Sequence, residues 1–188
     1  QTITVTDSAA PTVANCPVDA AVECPATPVF GTPQFSDSCD ANLTVTFADE
    51  VLAVSGKELS KTRRTWTATD SKNNSVSCSQ TITVTDSAAP TVANCPVDAT
   101  VECPATPVFG TPQFSDSCDA NLTVTFADET LTVSGNEVTK TKRTWTATDS
   151  KNNSVSCSQT ITVTDSAAPT VANCPADATV ECPATPAF

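Results

Sequence analysis

An all-β chain of tandem sandwich domains is predicted by three features of the 188-residue sequence. These are an internal repeat, a period-two alternation within it, and four cysteines in each copy. The string QTITVTDSAAPTVANCP begins at Gln1, again at Gln80 and again at Gln159, a period of 79 residues. Over Cys16–Asn94 and Cys95–Asn173 the copies differ at seven positions. They are Ala21/Thr100, Val51/Thr130, Ala53/Thr132, Lys57/Asn136, Leu59/Val138, Ser60/Thr139 and Arg63/Lys142. The register divides the chain into 1–7, the last strand of a preceding repeat; 8–86 and 87–165, two repeats; and 166–188, the first strands of a following one. The chain therefore reads as a window of a longer array, and the lack of any Met fits an internal window.

Within a copy, Leu43, Val45 and Phe47 alternate with Thr44, Thr46 and Ala48. Trp66 and Ala68 alternate with Thr65, Thr67 and Thr69, and Val76, Cys78, Ile82 and Val84 with Ser77, Ser79, Thr81, Thr83 and Thr85. Threonine and valine suit a pleated, half-buried surface, and alternation sends one set inward. Ser55-Gly56-Lys57 and Ser71-Lys72-Asn73-Asn74 read as turns. No segment carries a helical period. Each unit is predicted as an immunoglobulin-like sandwich of about seven short strands, stacked end to end with its neighbours. The predicted core is Val18, Val22, Phe35, Leu43, Val45, Phe47, Trp66, Ala68, Val76, Ile82 and Val84. Arg64 shares parity with Trp66 and is expected to cap that core through a carboxylate.

Such a core is thin for its length, and small domains of this kind need staples. Each copy has Cys16, Cys24, Cys39 and Cys78, or Cys95, Cys103, Cys118 and Cys157; Cys174 and Cys182 follow. An even count, with no histidine and no CxxC spacing, predicts disulfides in an oxidising, extracellular setting and not zinc. Four cysteines allow three pairings. Cys16–Cys24 is disfavoured because an extended Val18–Glu23 would hold the two Cα atoms beyond the ~7 Å bridging limit. The preferred pairs are Cys16–Cys78 with Cys24–Cys39, hence Cys95–Cys157 with Cys103–Cys118, leaving Cys174 and Cys182 unpaired. A tight hairpin at Pro25–Pro28 would count against this set, by placing Cys39 at the wrong end of a strand.

Charge excludes other classes. With 21 acidic against 9 basic side chains, the net charge of −12 opposes nucleic-acid binding. No apolar run approaches the ~20 residues of a membrane span. Without histidine there is no Ser-His or Cys-His nucleophile, no carboxylate pair is singled out, and no enzyme is expected. No cofactor is expected either. Covalent glycans are candidates at the sequons of Asn42, Asn73, Asn121 and Asn152, and at the Asp-Ser-Ala triplets of Ser8, Ser87 and Ser166. Calcium, the less favoured candidate, would take Asp19, Glu23 and Asp86 near the junction. The plainer reading of those carboxylates is solvation at strand ends. Outward Thr rows likewise read as ordinary strand faces, because a twisted sandwich offers no flat lattice.

Arg64-Thr65-Trp66-Thr67-Ala68-Thr69-Asp70 followed by Cys78-Ser79-Gln80-Thr81-Ile82-Thr83-Val84, with VECP and SDSCD upstream, resembles hyalin-repeat units. The resemblance extends to the tandem immunoglobulin-like repeats of large bacterial surface proteins and covers the whole chain. Related units often carry an extra Cys where this chain has Lys72 or Asn73, and another before the Trp strand. Their joint absence implies that they pair with each other, leaving the four present cysteines to the pairs above. The family implies an extracellular scaffold or adhesion role without catalytic residues. The leading expectation is a disulfide-stapled fibre or stalk whose partners are further copies end to end, with attached glycans. The alternative is an adhesin repeat region binding a carbohydrate or protein, with calcium.

Overall fold

The computed structural model describes residues 1–174, 176, 177, 179, 181 and 182. Each repeat contributes six strands. In the first they are β1 (Thr12–Asn15), β2 (Ala20–Glu23), β3 (Gln34–Ser36), β4 (Thr44–Val51), β5 (Glu58–Thr69) and β6 (Ser75–Thr85). In the second they are β7 (Thr91–Ala93), β8 (Ala99–Glu102), β9 (Gln113–Ser115), β10 (Thr123–Thr130), β11 (Glu137–Thr148) and β12 (Ser154–Thr164). A four-stranded sheet of order β2-β6-β5-β4 faces a two-stranded β1-β3 ribbon, and β8-β12-β11-β10 with β7-β9 repeats the arrangement. The contacts are antiparallel except β2 with β6 and β8 with β12, which run parallel. The fold is all-β, a tandem pair of immunoglobulin-like sandwiches.

Both anticipated turns form. Glu58 donates its N–H to the Ser55 carbonyl at 3.0 Å around Gly56, whose φ of 55° is natural for glycine. At the other, Asp70 Oδ1 accepts the N–H groups of Lys72 (2.8 Å) and Asn74 (2.9 Å) while Asn73 takes φ 67°. Asparagine tolerates that left-handed geometry better than most residues.

The core is narrower than the alternation predicts. Trp66 and Ala68 on β5 and Ile82 on β6 are buried, with Trp145, Ala147 and Ile161 in the second copy. Val22, Phe35, Leu43, Val76 and Val84 are half-buried. Val18, Val45 and Phe47 are exposed instead, at 81%, 50% and 60%. Val18 precedes β2, and β4 is the outer strand of its sheet, where the two-stranded ribbon gives no cover. Arg64 partly fills that gap. Its guanidinium lies 4.3 Å from the Phe30 ring centroid and 4.1 Å from that of Phe47, and binds Asp49 through two 2.7 Å hydrogen bonds. Phe30 in turn meets Trp66 edge-to-face. Arg143 repeats these contacts with Phe109, Phe126 and Asp128.

A polar clamp that the alternation hides holds the two layers together. Buried Gln80 accepts the Gly31 N–H at 2.9 Å and donates to the Val18 carbonyl at 2.6 Å. Gly31 is required there, because a Cβ would stand 2.7 Å from Cβ of Pro17.

The structure contains Cys16–Cys78 and Cys95–Cys157, with Cα separations of 5.8 and 5.9 Å. Each ties the end of the ribbon strand to the middle of β6 or β12, opposite Trp66 or Trp145. The expected Cys24–Cys39 and Cys103–Cys118 pairs are corrected: Cys24 bridges to Cys118 of the next repeat, with Cα atoms 5.7 Å apart. The reason lies at the end of β2. Cys24 donates its N–H to the Thr85 carbonyl, and Ala26 donates to Glu23, turning the chain sharply. Cys24 is thereby held at the trailing end of its repeat, beside the end of β6. Cys39, past β3, lies at the leading end, where its Sγ approaches Asp7. Cys39, Cys103, Cys174 and Cys182 are free and exposed.

The inter-repeat junction as candidate functional site

Residues of both repeats converge where β6 ends. Asp86 donates its N–H to the Lys57 carbonyl at 2.9 Å, which fixes its backbone beside the β4–β5 side of the repeat. The next repeat then supplies Asn153, whose Nδ2 donates to the Asp86 carbonyl at 3.2 Å. Lys57 Nζ donates to Asn153 Oδ1, a second contact across the junction. The Cys24–Cys118 bridge closes the third side. Burial records the contact directly. Asp86 is 0% exposed, while its counterparts Asp7 and Asp165 are half-buried and exposed. Asn153 is buried where its counterpart Asn74 is half-buried.

Neither oxygen of the Asp86 carboxylate accepts a hydrogen bond. Asp7 and Asp165 accept one from the Ala9 and Ala167 N–H groups, but the Ala88 N–H does not reach such geometry at Asp86. Burial raises the Asp86 carboxyl above its ordinary pKa, and the negative charges of Asp149 and Asp116 add to the rise. The weaker opposing pull of the Ala88 N–H does not reverse it. Asp149 itself is satisfied by the N–H groups of Lys151 and Asn153 and by the Asn153 amide, which outweigh its own desolvation. Asp86, Asp116 and Cys118 present ligand-type atoms within 4.8 Å of one another, and Asp7, Asp37 and Cys39 do the same one period earlier.

The sequence placed Asp19, Glu23 and Asp86 together as calcium candidates; neither Asp19 nor Glu23 belongs to this cluster. Asp19 accepts the Thr81 N–H at 2.7 Å. Glu23 accepts Thr85 Oγ1 at 2.7 Å and both the N–H and Oγ of Ser87, which hold its carboxyl below the usual range. Asp116 and Asp149 were missed because their approach to Asp86 spans two repeats. All seven candidate glycosylation residues, Asn42, Asn73, Asn121, Asn152, Ser8, Ser87 and Ser166, are exposed. Ser87 and Ser166 spend their hydroxyls on Glu23 and Glu102.

The class defined by fold and site is a tandem immunoglobulin-like repeat protein whose successive domains are joined covalently. No protein-family model matches the chain, and no curated protein matches it. Among solved structures it is similar to Drosophila N-cadherin EC1-3, at 16% identity over 84% of this chain and 68% of that one, with a TM-score of 0.33. It is also similar to protocadherin gamma B7 extracellular cadherin domains 1-4, at 13% identity over 83% of this chain and 51% of that one, TM-score 0.34. Human mucin-like protocadherin EC1-2 matches at 11% identity over 83% of this chain and 98% of that one, TM-score 0.32. No residue roles carry across at such scores.

Proposed function

We propose that the chain is part of an extracellular stalk or fibre in which each repeat is bonded to the next by a disulfide. One observation carries this reading: Cys24 of one repeat bridges Cys118 of its successor. The 79-residue register maps Cys103 onto Cys24 and Cys39 onto Cys118. Among the four free cysteines, Cys39 and Cys103 are therefore the two halves of the same bridge, ready for a neighbour on each side. A load-bearing array gains from such a ladder, because tension along the rod meets covalent bonds as well as small interfaces. Three disulfides are the chemistry of an oxidising, extracellular compartment, and among the described residues no helix is long and apolar enough to cross a membrane. Glycans on the exposed sequons and Asp-Ser-Ala serines would complete the coat of the rod.

The test is non-reducing peptide mapping of native material. A cross-linked peptide pair holding Cys24 and Cys118 is expected, and in longer arrays Cys103 pairs with the equivalent of Cys118 one period on. Recovery of Cys24–Cys39 as the main species would sink the ladder.

A second reading, an adhesin repeat for a carbohydrate or protein, is favoured by a groove present in both copies. Pro33, Phe35, Asp40 and Val45 line it in one, and Pro112, Phe114, Asp119 and Val124 in the other. Saturable binding to a glycan array, lost on Phe35→Ala with Phe114→Ala, would favour this reading over the stalk.

A further inference from the structure

We propose that the junction is a calcium site, with Asp86 and Asp116 as its carboxylate ligands and Asp149 as a supporting negative charge. The carrying observation is a fully buried carboxylate with neither oxygen hydrogen-bonded, aimed at a second carboxylate from the following repeat. A buried ionised carboxylate without a partner costs several kcal/mol, so natural structures pair it, neutralise it or give it to a metal. The charges that act most on Asp86 are Asp149, Asp116 and Glu23, all negative. Lys57 is the nearby cation, but its ammonium is directed to Asn153 and acts on Asp149. In the second repeat Asn136 stands in place of Lys57.

The donor set selects the ion. Cys118 is committed to its bridge with Cys24, which removes the one soft thiolate from the cluster. Only hard oxygens remain, and these suit calcium over zinc or copper. The remaining positions in calcium's shell of six to eight oxygens fall to carbonyl groups and water. Recurrence supports a designed site, since Asp7, Asp37 and Cys39 gather in the same way one period earlier. An ion shared between Asp86 of one repeat and Asp116 of the next would lock the angle between them.

Calcium chloride titrated into the intact 188-residue chain, disulfides formed and metal removed beforehand, reads the site directly by calorimetry. Saturable binding with a Kd on the order of 10⁻⁴–10⁻³ M is expected, as for extracellular calcium modules, together with a rise in Tm. Asp86→Asn and Asp116→Asn should each weaken binding at least about tenfold. Asp19→Asn should leave it unchanged. Asp116 is only half-buried, so that variant remains informative if Asp86→Asn does not fold. No heat and no Tm change up to about 10 mM calcium, well above that range, would overturn the proposal. So would equal weakening by Asp19→Asn, which would mark diffuse attraction to an acidic surface. Calcium binding and the Cys24–Cys118 linkage are read separately, so failure of one is not failure of the other.

Discussion

Asp40 and its counterpart Asp119 show how single carboxylates knit distant loops. Asp40 accepts the N–H groups of Asn42 at 2.9 Å and Ser71 at 2.8 Å, and Asp119 does the same for Asn121 and Ser150. These bonds hold both carboxyls below the ordinary range. Glu23, Asp49, Glu58 and Asp70 are lowered in the same direction, by hydrogen bonds in each case, although Asp70 must first overcome desolvation. A carboxylate lowered on folding contributes stability above its unfolded pKa and loses it as pH falls through the folded value. Asp86 has the opposite sign, because its raised carboxyl is penalised as pH rises past the ordinary value. The lowered groups dominate by number, so Tm should fall steeply on acidification below about pH 4. Asp40→Asn with Asp119→Asn, which keep the shape and remove the charge, should make that acid limb shallower. An unchanged limb in a thermal series from acid to neutral pH would discount these two carboxylates.

At the scale of elements, the long β5–β6 hairpin is the framework and the disulfide fastens the ribbon to it. Cys16 lies just past β1 and Cys78 in mid-β6, 62 residues apart. Closing a loop of that length stabilises by about 4 kcal/mol in the chain-entropy account. The paired substitution Cys16→Ala with Cys78→Ala should therefore destabilise the first repeat by several kcal/mol, near its whole margin. The second repeat, stapled by its own Cys95–Cys157, should keep a separate transition. Calorimetry that showed one unchanged transition would deny the staple its role. Strand β4 makes the converse point. All eight of its residues are exposed, although their alternation is as regular as that of β5. Alternation reports that one face differs from the other; it does not report whether anything covers the better face.

For the whole molecule, the linker between the end of β6 at Thr85 and the start of β7 at Thr91 holds Pro90 and no glycine. Few free rotations remain in such a path. Buried Asp86 and Asn153 and the Cys24–Cys118 bridge add a specific contact to that stiff tether. Small-angle scattering of chains with increasing repeat number should show the longest dimension growing by roughly 35–45 Å per repeat, the length of a strand plus linker. Growth well below that, as from repeats folded back side by side, would rule out the rod. Lateral bundling at low salt is opposed by charge, since 8–86 and 87–165 carry net −4 and −5.

The repeat, the all-β class, the turns at Gly56 and Asn73, and the burial of Trp66, Ala68 and Ile82 were legible in residue order alone. Each follows from local propensity or from a period that one chain segment contains in full. The Gln80 clamp, the bare β4 face and the Asp86 cluster were not legible, because each depends on which surfaces meet after folding. The cysteines mark the boundary best. Their even count and spacing predicted disulfides, but within a single repeat the sequence could not reveal that Cys24 and Cys39 occupy opposite ends of the sandwich. Parallel pairing of β2 with β6 carries Cys24 to the trailing end, and stacking of the next repeat brings Cys118 within 5.7 Å, Cα to Cα. Sequence periodicity determined that every repeat would be built alike. Only tertiary contact decided that the bond between Cys24 and its partner would run from one repeat to the next, since a disulfide forms by proximity in space.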